Sequence, residues 1–257
     1  ITPYLPESTI SVTSRYLPQA IQEKGREIRT FMPRFGSINE RRNQLHEVIR
    51  LSGMNLIIDD TDHPLIIKVA SIQAARMQIY FIDNDDFFKR KYTTIDDDGQ
   101  EFDDNDERSI FYVRGVLETI KKLRWIPDVI HCHGWMTALT PLYIKTAYAD
   151  DPCFKGSKIV YSLYNDDYQQ PFKTNFADKL MLDGITDKHI ADIKNTGVDY
   201  ETLTKFAIKY SDGVIQSEEN INKSILDHVN NSGVKFLAYQ GDVDTSVDTV
   251  NEFYDKI

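Results

Sequence analysis

The sequence predicts an α/β fold, namely a three-layer α/β/α domain built on a largely parallel sheet. From Glu107 to Tyr239, short apolar runs alternate with stretches whose apolar residues recur at helical spacing, as in repeated strand-helix units. The 257 residues are 41% hydrophobic, which is enough for a sizeable core. We therefore expect the runs near 129–131, 159–163, 213–216 and 236–239 to be neighbouring strands of one sheet.

The first 25 residues predict a loop that leads into a helix, with Gly25 as its C-terminal stop. One face of this helix carries Tyr16, Leu17, Ala20 and Ile21. A strand follows at Glu27–Met32 and is closed by Pro33. Because Ile1 opens the chain abruptly, we expect a first strand to precede it.

Residues 46–83 alternate apolar and polar side chains in three runs, which predicts strands that are partly antiparallel. The runs are Glu47–Met54, Leu65–Ala70 and Met77–Ile82. Turn signals lie at Asp59–Asp62 and at His63-Pro64.

The stretch from Asp83 to Glu107 holds eleven acidic residues against three basic ones, and such a charge run predicts a solvated loop. Apolar residues at three- and four-residue spacing then predict a helix from Arg108 to Leu123.

The rest of the chain alternates predicted strands with predicted helices. The strands are Asp128–Cys132, Lys158–Leu163, Gly213–Gln216 and Lys235–Tyr239. The helices are Met136–Ala149, three pieces within 174–210 broken near Gly184 and Gly197, then 219–231 and Val247–Phe253.

Composition excludes several classes of protein. The formal charge of −10 argues against nucleic-acid binding, which needs a basic face. No apolar run approaches the ~20 residues of a membrane span and no signal segment opens the sequence, so we expect a cytoplasmic protein without membrane contact. Cys132 and Cys153 make no disulfide framework. Neither a G-x-G-x-x-G motif nor a P-loop occurs, and we expect no cofactor.

Two histidines and a tryptophan lie where the strand at 128–132 ends and a helix begins, and ligands bind at that edge of open α/β sheets. His131 and His133 are two residues apart, so on a strand both face the same side while Cys132 faces the other. No further ligand cluster lies nearby in the sequence, so we expect no metal. His131 suits a histidine satisfied by buried hydrogen bonds.

The segment from Pro127 to Trp135, PDVIHCHGW, resembles the PDVVHAHDWH segment of bacterial glycogen synthases and plant starch synthases, glycosyltransferase family 5. Met32–Gly36 resembles the MPrYG segment of the same family. The resemblance implies one Rossmann-like half of a GT-B fold. It also implies retaining transfer of glucose from ADP-glucose to an α-1,4-glucan. Gly134 stands where the family has Asp, and Met136 where it has His.

The same resemblance implies the site residues. His133 and Asp104 would be catalytic, since Asp104 matches the acidic residue of the YxDNxxRF motif. The substrate-binding residues would be Trp135, Tyr164, Asn165 and Gln169, although Trp135 suits a core position equally well. Tyr164 replaces the His of the family's FTVHNLAYQG segment. We expect His133, Asp104, Tyr164 and Asn165 to converge at the carboxyl edge of the sheet.

The differences from the family pattern concern the residues that would bind the sugar-nucleotide donor. Pro6 stands where the family has a lysine and Ser8-Thr9 where it has a glycine pair, so the phosphate-binding loop is expected to be absent. Residues 1–257 are expected to form a single domain without the C-terminal nucleotide-sugar domain. Two functions remain open: the acceptor-side half of a glucan synthase, or a non-catalytic relative that binds glucan or a partner. The partner implied is an α-1,4-glucan, with ADP-glucose only if a second domain is supplied. We predict that the isolated chain is inactive.

Overall fold

A computed structural model describes residues 1–257. The strands are β1 Thr30–Pro33, β2 His46–Glu47, β3 Asn55–Ile58, β4 Thr61–Pro64, β5 Ile66–Ile72, β6 Met77–Asp83, β7 Val129–His133, β8 Lys158–Leu163, β9 Gly213–Gln216 and β10 Lys235–Leu237. The α-helices are α1 Thr9–Glu23, α2 Asp85–Phe88, α3 Asn105–Lys122, α4 Thr140–Lys145, α5 Phe176–Lys179, α6 Tyr200–Tyr210, α7 Lys223–Ser232 and α8 Val243–Tyr254. No helix combines the length and the apolar composition needed to cross a membrane.

Two four-stranded sheets form the middle layer of the α/β/α fold. In the first, strands β10, β9, β8 and β7 lie in that order and all pair in parallel. The prediction that these four segments are neighbours is confirmed. In the second, the order is β1-β6-β5-β2, with β1 and β6 parallel and the other pairs antiparallel.

Helices cover both faces of the parallel sheet, because alternate strand residues point to opposite faces. Val160 and Ile215 face α1 and α8 in a small apolar cluster. Their neighbours Ile159, Tyr161 and Val214 face the main core, to which α3, α4 and α6 contribute. The three-layer prediction is therefore confirmed.

Helix α1 begins at Thr9 for a local reason. The Ser8 side chain accepts a hydrogen bond from the Ser11 N–H, and the Ser11 side chain accepts one from the Ser8 N–H. The helix ends before Gly25, whose φ is +96°. Tyr16 was predicted to share one face with Leu17 and Ile21, but it is 49% exposed whereas they are buried, so the prediction is wrong at this residue.

The region between β1 and β6 departs from prediction. Glu47–Met54 is not a strand, since only two residues pair with β5 and a 3-10 turn follows at Ile49–Leu51. His63-Pro64 is not a turn either, because it lies in β4, which pairs with β3. Asp59 and Asp60 both adopt positive φ and make the tight turn of this hairpin, a conformation that aspartate tolerates.

The acidic stretch 83–107 is only partly the solvated loop that was predicted. Asp83, Asn84, Phe87, Phe88, Asn105 and Asp106 are buried. The Asp83 carboxylate is paired with Arg34 at 2.8 Å and with Lys68 at 2.9 Å. The bases that neutralise this acid lie on distant strands, so the local charge count could not reveal them.

The predicted helices at 136–149 and 174–210 are shorter than expected. Helix α4 ends at Lys145, and residues 180–197 form turns instead of a middle helix. Gly184 explains part of this difference, since a Cβ there would lie 3.1 Å from the Ala147 Cα and its φ is +100°. The backbone packs too closely at this crossing for a continuous helix.

Candidate active site

Strand β7 presents two histidines on one face of the sheet, as its alternation predicts. The rings of His131 and His133 are stacked with their centroids 4.1 Å apart. Both lie on the side that faces α1 and α8, whereas Cys132 belongs to the main core on the other side. No group of three or more His, Cys, Asp or Glu side chains is placed to hold a metal ion.

Both ring nitrogens of His131 are occupied. Its Nδ1 lies 2.7 Å from the Tyr254 hydroxyl and its Nε2 lies 2.6 Å from the Ser162 hydroxyl. Ser162 is bonded in turn to Ser217. Burial, followed by the neighbouring His133, holds the pKa of His131 well below its usual value. The prediction that buried hydrogen bonds satisfy His131 is confirmed, and this side chain is a neutral structural group.

His133 is bonded through one nitrogen only. Its Nδ1 lies 2.7 Å from the Tyr164 hydroxyl, and no protein group bonds its Nε2. When the Tyr164 hydroxyl donates to Nδ1, the proton of the neutral imidazole resides on Nε2.

Burial, followed by the charge of the Ile1 amino group, lowers the pKa of His133 to about 4. The imidazole is therefore neutral around pH 7. A neutral N–H donor suits a hydroxyl group of a ligand better than it suits an anion.

The turn after β7 needs glycine. Gly134 has a φ of +84°, and a Cβ there would lie 2.7 Å from the Ile10 Cδ1 and 3.1 Å from the Asp166 Oδ2. The Asp166 carboxylate thus occupies the space that a side chain at 134 would need. It accepts hydrogen bonds from the Trp135 N–H at 2.9 Å and from the Tyr200 hydroxyl at 2.6 Å.

Asp166 was missed by the sequence analysis. Burial raises its pKa to about 6, although its two hydrogen bonds act in the opposite direction. Two signals were available in the sequence. One is the polar run after β8, and the other is that Gly134 stands where the resemblance has an aspartate, which leaves room for an acid from elsewhere.

The predicted substrate-binding residues differ in accessibility. The Trp135 indole packs against Tyr168 and Phe172 and is 7% exposed, so its ring offers little surface to a ligand. Tyr164 is 2% exposed and reaches a ligand only through His133. Asn165 and Gln169 are exposed, and their backbone N–H groups donate to Glu218 and Glu101.

Asp104 lies just before α3 and is held by Arg90, with both carboxylate oxygens 2.5 Å from the guanidinium nitrogens. Arg90 also stacks on Phe102. Asp104 makes no hydrogen bond to His133, Tyr164 or Asn165. The structure therefore brings His133 and Tyr164 together, with Asn165 next in the chain, and ties Asp104 to a different partner. Its catalytic role stays a prediction.

The start of α1 offers few free donors. Ser8 and Ser11 bond each other's backbone, and the Ser11 hydroxyl donates to the Pro6 carbonyl at 2.8 Å. Pro6 itself has no N–H. Of the N–H groups that would meet a phosphate at a helix N-terminus, those of Ser8, Ser11 and Val12 are thus bonded within the chain, and those of Thr9 and Ile10 are not.

Comparisons with known proteins identify the family of this chain. A family model described as starch synthase catalytic domain matches residues 1–237. A glycogen synthase of Chlorobium luteolum is 39% identical over 177 residues, which are 67% of this chain and 36% of the relative. A glycogen synthase of Chlorobaculum tepidum is 33% identical over 228 residues, which are 88% of this chain and 46% of the relative.

A solved structure has the same fold. The catalytic domain of starch synthase IV from Arabidopsis thaliana, bound to ADP and acarbose, superposes with a TM-score of 0.76 at 19% identity. The match covers 96% of this chain and 51% of that one. The chain thus spans about half or less of the length of these relatives.

Proposed function

This chain belongs to the starch synthase catalytic domain family, and we propose that it acts as the acceptor-side half of an ADP-glucose-type glucan synthase. Its role would be to hold the end of an α-1,4-glucan while glucose is transferred to it. The observation that carries the proposal is the neutral His133 imidazole, bonded on one nitrogen and open on the other, at the carboxyl edge of a parallel sheet.

The chemistry of this histidine fits retaining transfer. Such transfer passes through an oxocarbenium-like state, in which nearby polar groups stabilise the developing charge. An Nε2–H that donates to a sugar hydroxyl positions the ring without adding positive charge beside it. Because the pKa of His133 is about 4, the donor stays neutral across the ordinary working range of pH.

ADP-glucose would have to be held by another domain. The start of α1 has no lysine, and the Ser8 and Ser11 groups there bond each other and the Pro6 carbonyl. One missing charged contact commonly costs ~3 kcal/mol of transition-state stabilisation. Residues 1–257, working alone in the cytoplasm or in a test tube, would therefore turn over negligibly.

The names of the relatives favour glucosyl transfer over the non-catalytic alternative, since both bacterial relatives are glycogen synthases. The substrate-binding roles of Trp135, Asn165 and Gln169 and the catalytic role of Asp104 belong to the same proposal. Of these, the exposed Asn165 and Gln169 side chains are the best placed to meet a glucan.

The test is calorimetric titration of residues 1–257 with maltoheptaose. We expect saturable binding that His133→Ala weakens about tenfold, the loss of one good hydrogen bond. His46→Ala is the matched control, because His46 is exposed on β2. Unchanged affinity in His133→Ala would overturn the proposal. A parallel assay with ADP-glucose and glycogen should give no ADP release above background, and steady turnover near one per second would contradict the donor-side argument.

A further inference from the structure

The loop of residues 165–170, which we call the β8 loop, follows strand β8 and carries the exposed Asn165 and Gln169 side chains. It contains no helix or strand, so its backbone N–H groups have no partners from regular secondary structure. The shape of the β8 loop therefore depends on groups that other segments of the chain supply.

The Glu101 carboxylate accepts hydrogen bonds from two consecutive N–H groups at the end of the β8 loop. Its Oε1 lies 2.6 Å from the Gln169 nitrogen, and its Oε2 lies 3.0 Å from the Gln170 nitrogen. At the start of the loop, the Glu218 Oε2 accepts from the Asn165 N–H at 3.0 Å. Hydrogen bonds to an ionised carboxylate are roughly twice as strong as those to a neutral acceptor. Glu101 thus uses both of its oxygens to hold the end of the loop.

The middle of the β8 loop is held by the buried Tyr168. Its ring stacks on Phe172 with the centroids 4.6 Å apart, and its hydroxyl donates to the Val198 carbonyl at 2.9 Å. The loop is therefore fixed at its start, its middle and its end. The bond at the end is the one next to the exposed Gln169 side chain, and it depends on Glu101 alone.

Glu101 is itself placed by a short hairpin of residues 94–102, which we call the Glu101 hairpin. Ile95 and Glu101 form an antiparallel bridge, and the Phe102 N–H donates to the Thr94 carbonyl at 3.1 Å. These bonds fix the backbone on both sides of Glu101. Its carboxylate is therefore presented from a defined strand position and not from a free loop.

The base of the Glu101 hairpin is fixed by Arg90. The Arg90 guanidinium lies over the Phe102 ring at 4.7 Å and holds both oxygens of Asp104. Asp104 is thus linked through Arg90 and the Glu101 hairpin to the β8 loop. This link gives Asp104 a physical connection to the exposed Gln169 that needs no direct contact.

The charges around Glu101 separate holding the loop from stabilising the fold. Burial, followed by Asp199 and Glu101, raises the pKa of Asp167, so Asp167 and Glu101 are close enough to repel each other. This repulsion opposes the two hydrogen bonds that Glu101 accepts. Removing the Glu101 carboxylate therefore loses the hold on the β8 loop but also relieves repulsion, so the free energy of unfolding should change little.

We propose that Glu101 is a positioning residue, which holds the end of the β8 loop so that the Gln169 side chain is oriented to bind a glucan. This inference rests on the proposed function and names what orients a residue that would meet the sugar. Glu101 would not touch the glucan itself, because both of its oxygens are bonded to the loop backbone.

The experiment compares Glu101→Ala, which removes both acceptor oxygens, and Glu101→Gln, which removes the charge and keeps one oxygen, in residues 1–257. Asp98→Asn is the matched control, because it removes one charge from an exposed side chain of the same hairpin that bonds nothing. Three quantities are measured: hydrogen exchange at the Gln169 and Gln170 amides without ligand, the thermal midpoint, and the affinity for maltoheptaose by calorimetric titration.

We expect Glu101→Ala to speed exchange at both amides about tenfold and Glu101→Gln to speed it a few-fold, since one acceptor remains. The midpoint should change by less than about 4 °C. Affinity for maltoheptaose should fall about fivefold in Glu101→Ala, as expected when one hydrogen bond to the sugar is poorly aligned. Asp98→Asn should leave all three quantities unchanged.

Unchanged exchange at the two amides in Glu101→Ala would overturn the proposal, and so would faster exchange with unchanged affinity. A larger fall in the midpoint, with faster exchange throughout the chain, would show a general structural role and would also overturn it. If the unsubstituted chain does not bind maltoheptaose, the proposed function fails and the role of Glu101 in glucan binding fails with it. Amide exchange, which needs no ligand, would still show whether Glu101 holds the β8 loop.

Discussion

The strand edge, made of His133, Tyr164 and Asp166, and the start of α1, made of Pro6, Ser8 and Ser11, both lie where a ligand of an open α/β sheet would bind. At the start of α1 the polar groups bond one another. At the strand edge they converge from separate elements and leave the His133 Nε2 unbonded. The difference teaches that the strand edge keeps a side-chain group free for a ligand, whereas the start of α1 offers no lysine and bonds its own serine side chains.

The largest expected effect tests how tightly the strand edge is built. Gly134→Ala should lower the free energy of unfolding by about 4 kcal/mol, because it adds strain at positive φ to a clash with Ile10. Urea unfolding measures it. Gly25→Ala is the control, since Gly25 also has positive φ but a Cβ there meets nothing within 4 Å. It should cost about 1 kcal/mol, and equal costs would show that the strand edge is not tightly packed.

Acid should destabilise the strand edge. The folded-state pKa of His133 is about 4 against 6.5 in the unfolded chain, so the unfolded chain binds the proton first. The free energy of unfolding therefore falls by about 3 kcal/mol for this group as the pH falls from about 6.5 through 4. His131 adds a loss of the same sign.

His133→Gln should remove the His133 part of the acid loss, as measured by unfolding at pH 7 and pH 4.5. His46→Gln serves as the control and should keep the full loss. A variant at 133 with the same pH dependence as the unsubstituted chain would show that His133 titrates normally and is not enclosed.

Asp166 should respond to pH with the opposite sign. Its folded-state pKa is raised to about 6 from 3.8, so the folded state holds the proton longer and stability falls as pH rises through this window. Between pH 4 and pH 7, the free energy of unfolding of Asp166→Asn relative to the unsubstituted chain should shift in favour of the variant by about 2 kcal/mol. Chemical denaturation at the two pH values measures the shift, and a constant difference would contradict it.

The smallest expected changes in stability distinguish the strand edge from the start of α1. Tyr164→Phe and Ser11→Ala should each cost about 1 kcal/mol of stability, the first through the bond to His133 and the second through the helix cap. Only Tyr164→Phe should also weaken glucan binding, by a few-fold, because the His133 proton is then no longer fixed on Nε2. Calorimetric titration measures this, and equal loss of affinity in both variants would erase the distinction.

Much of the fold was predictable because its signals are local. The apolar runs of β7, β8, β9 and β10 and the cap of α1 are each contained in a few residues. The turn at Asp59 and Asp60 was predicted, but the strands β3 and β4 that it joins were not, since the predicted runs lay on either side of them. The short α4 depends on the close approach of Gly184 from another segment.

The site was less predictable than the fold. His133 and Tyr164 were found through their places at strand ends and a resemblance in motif, and the structure joins them. Asp166 was missed because its partners, Trp135 and Tyr200, come from distant parts of the sequence. Asp104 was assigned by motif alone, and its pairing with Arg90 has no sequence signal beyond charge.

The central claim is that His133 offers a neutral Nε2–H to a glucan. Nitrogen NMR of the chain labelled at histidine, titrated with maltoheptaose at pH 7, tests it most directly. We expect His133 to show the Nε2–H tautomer and to shift in a saturable way, while His46 does not move. A glucan that binds without moving the His133 resonances, or a His133 that carries its proton on Nδ1, would contradict the claim.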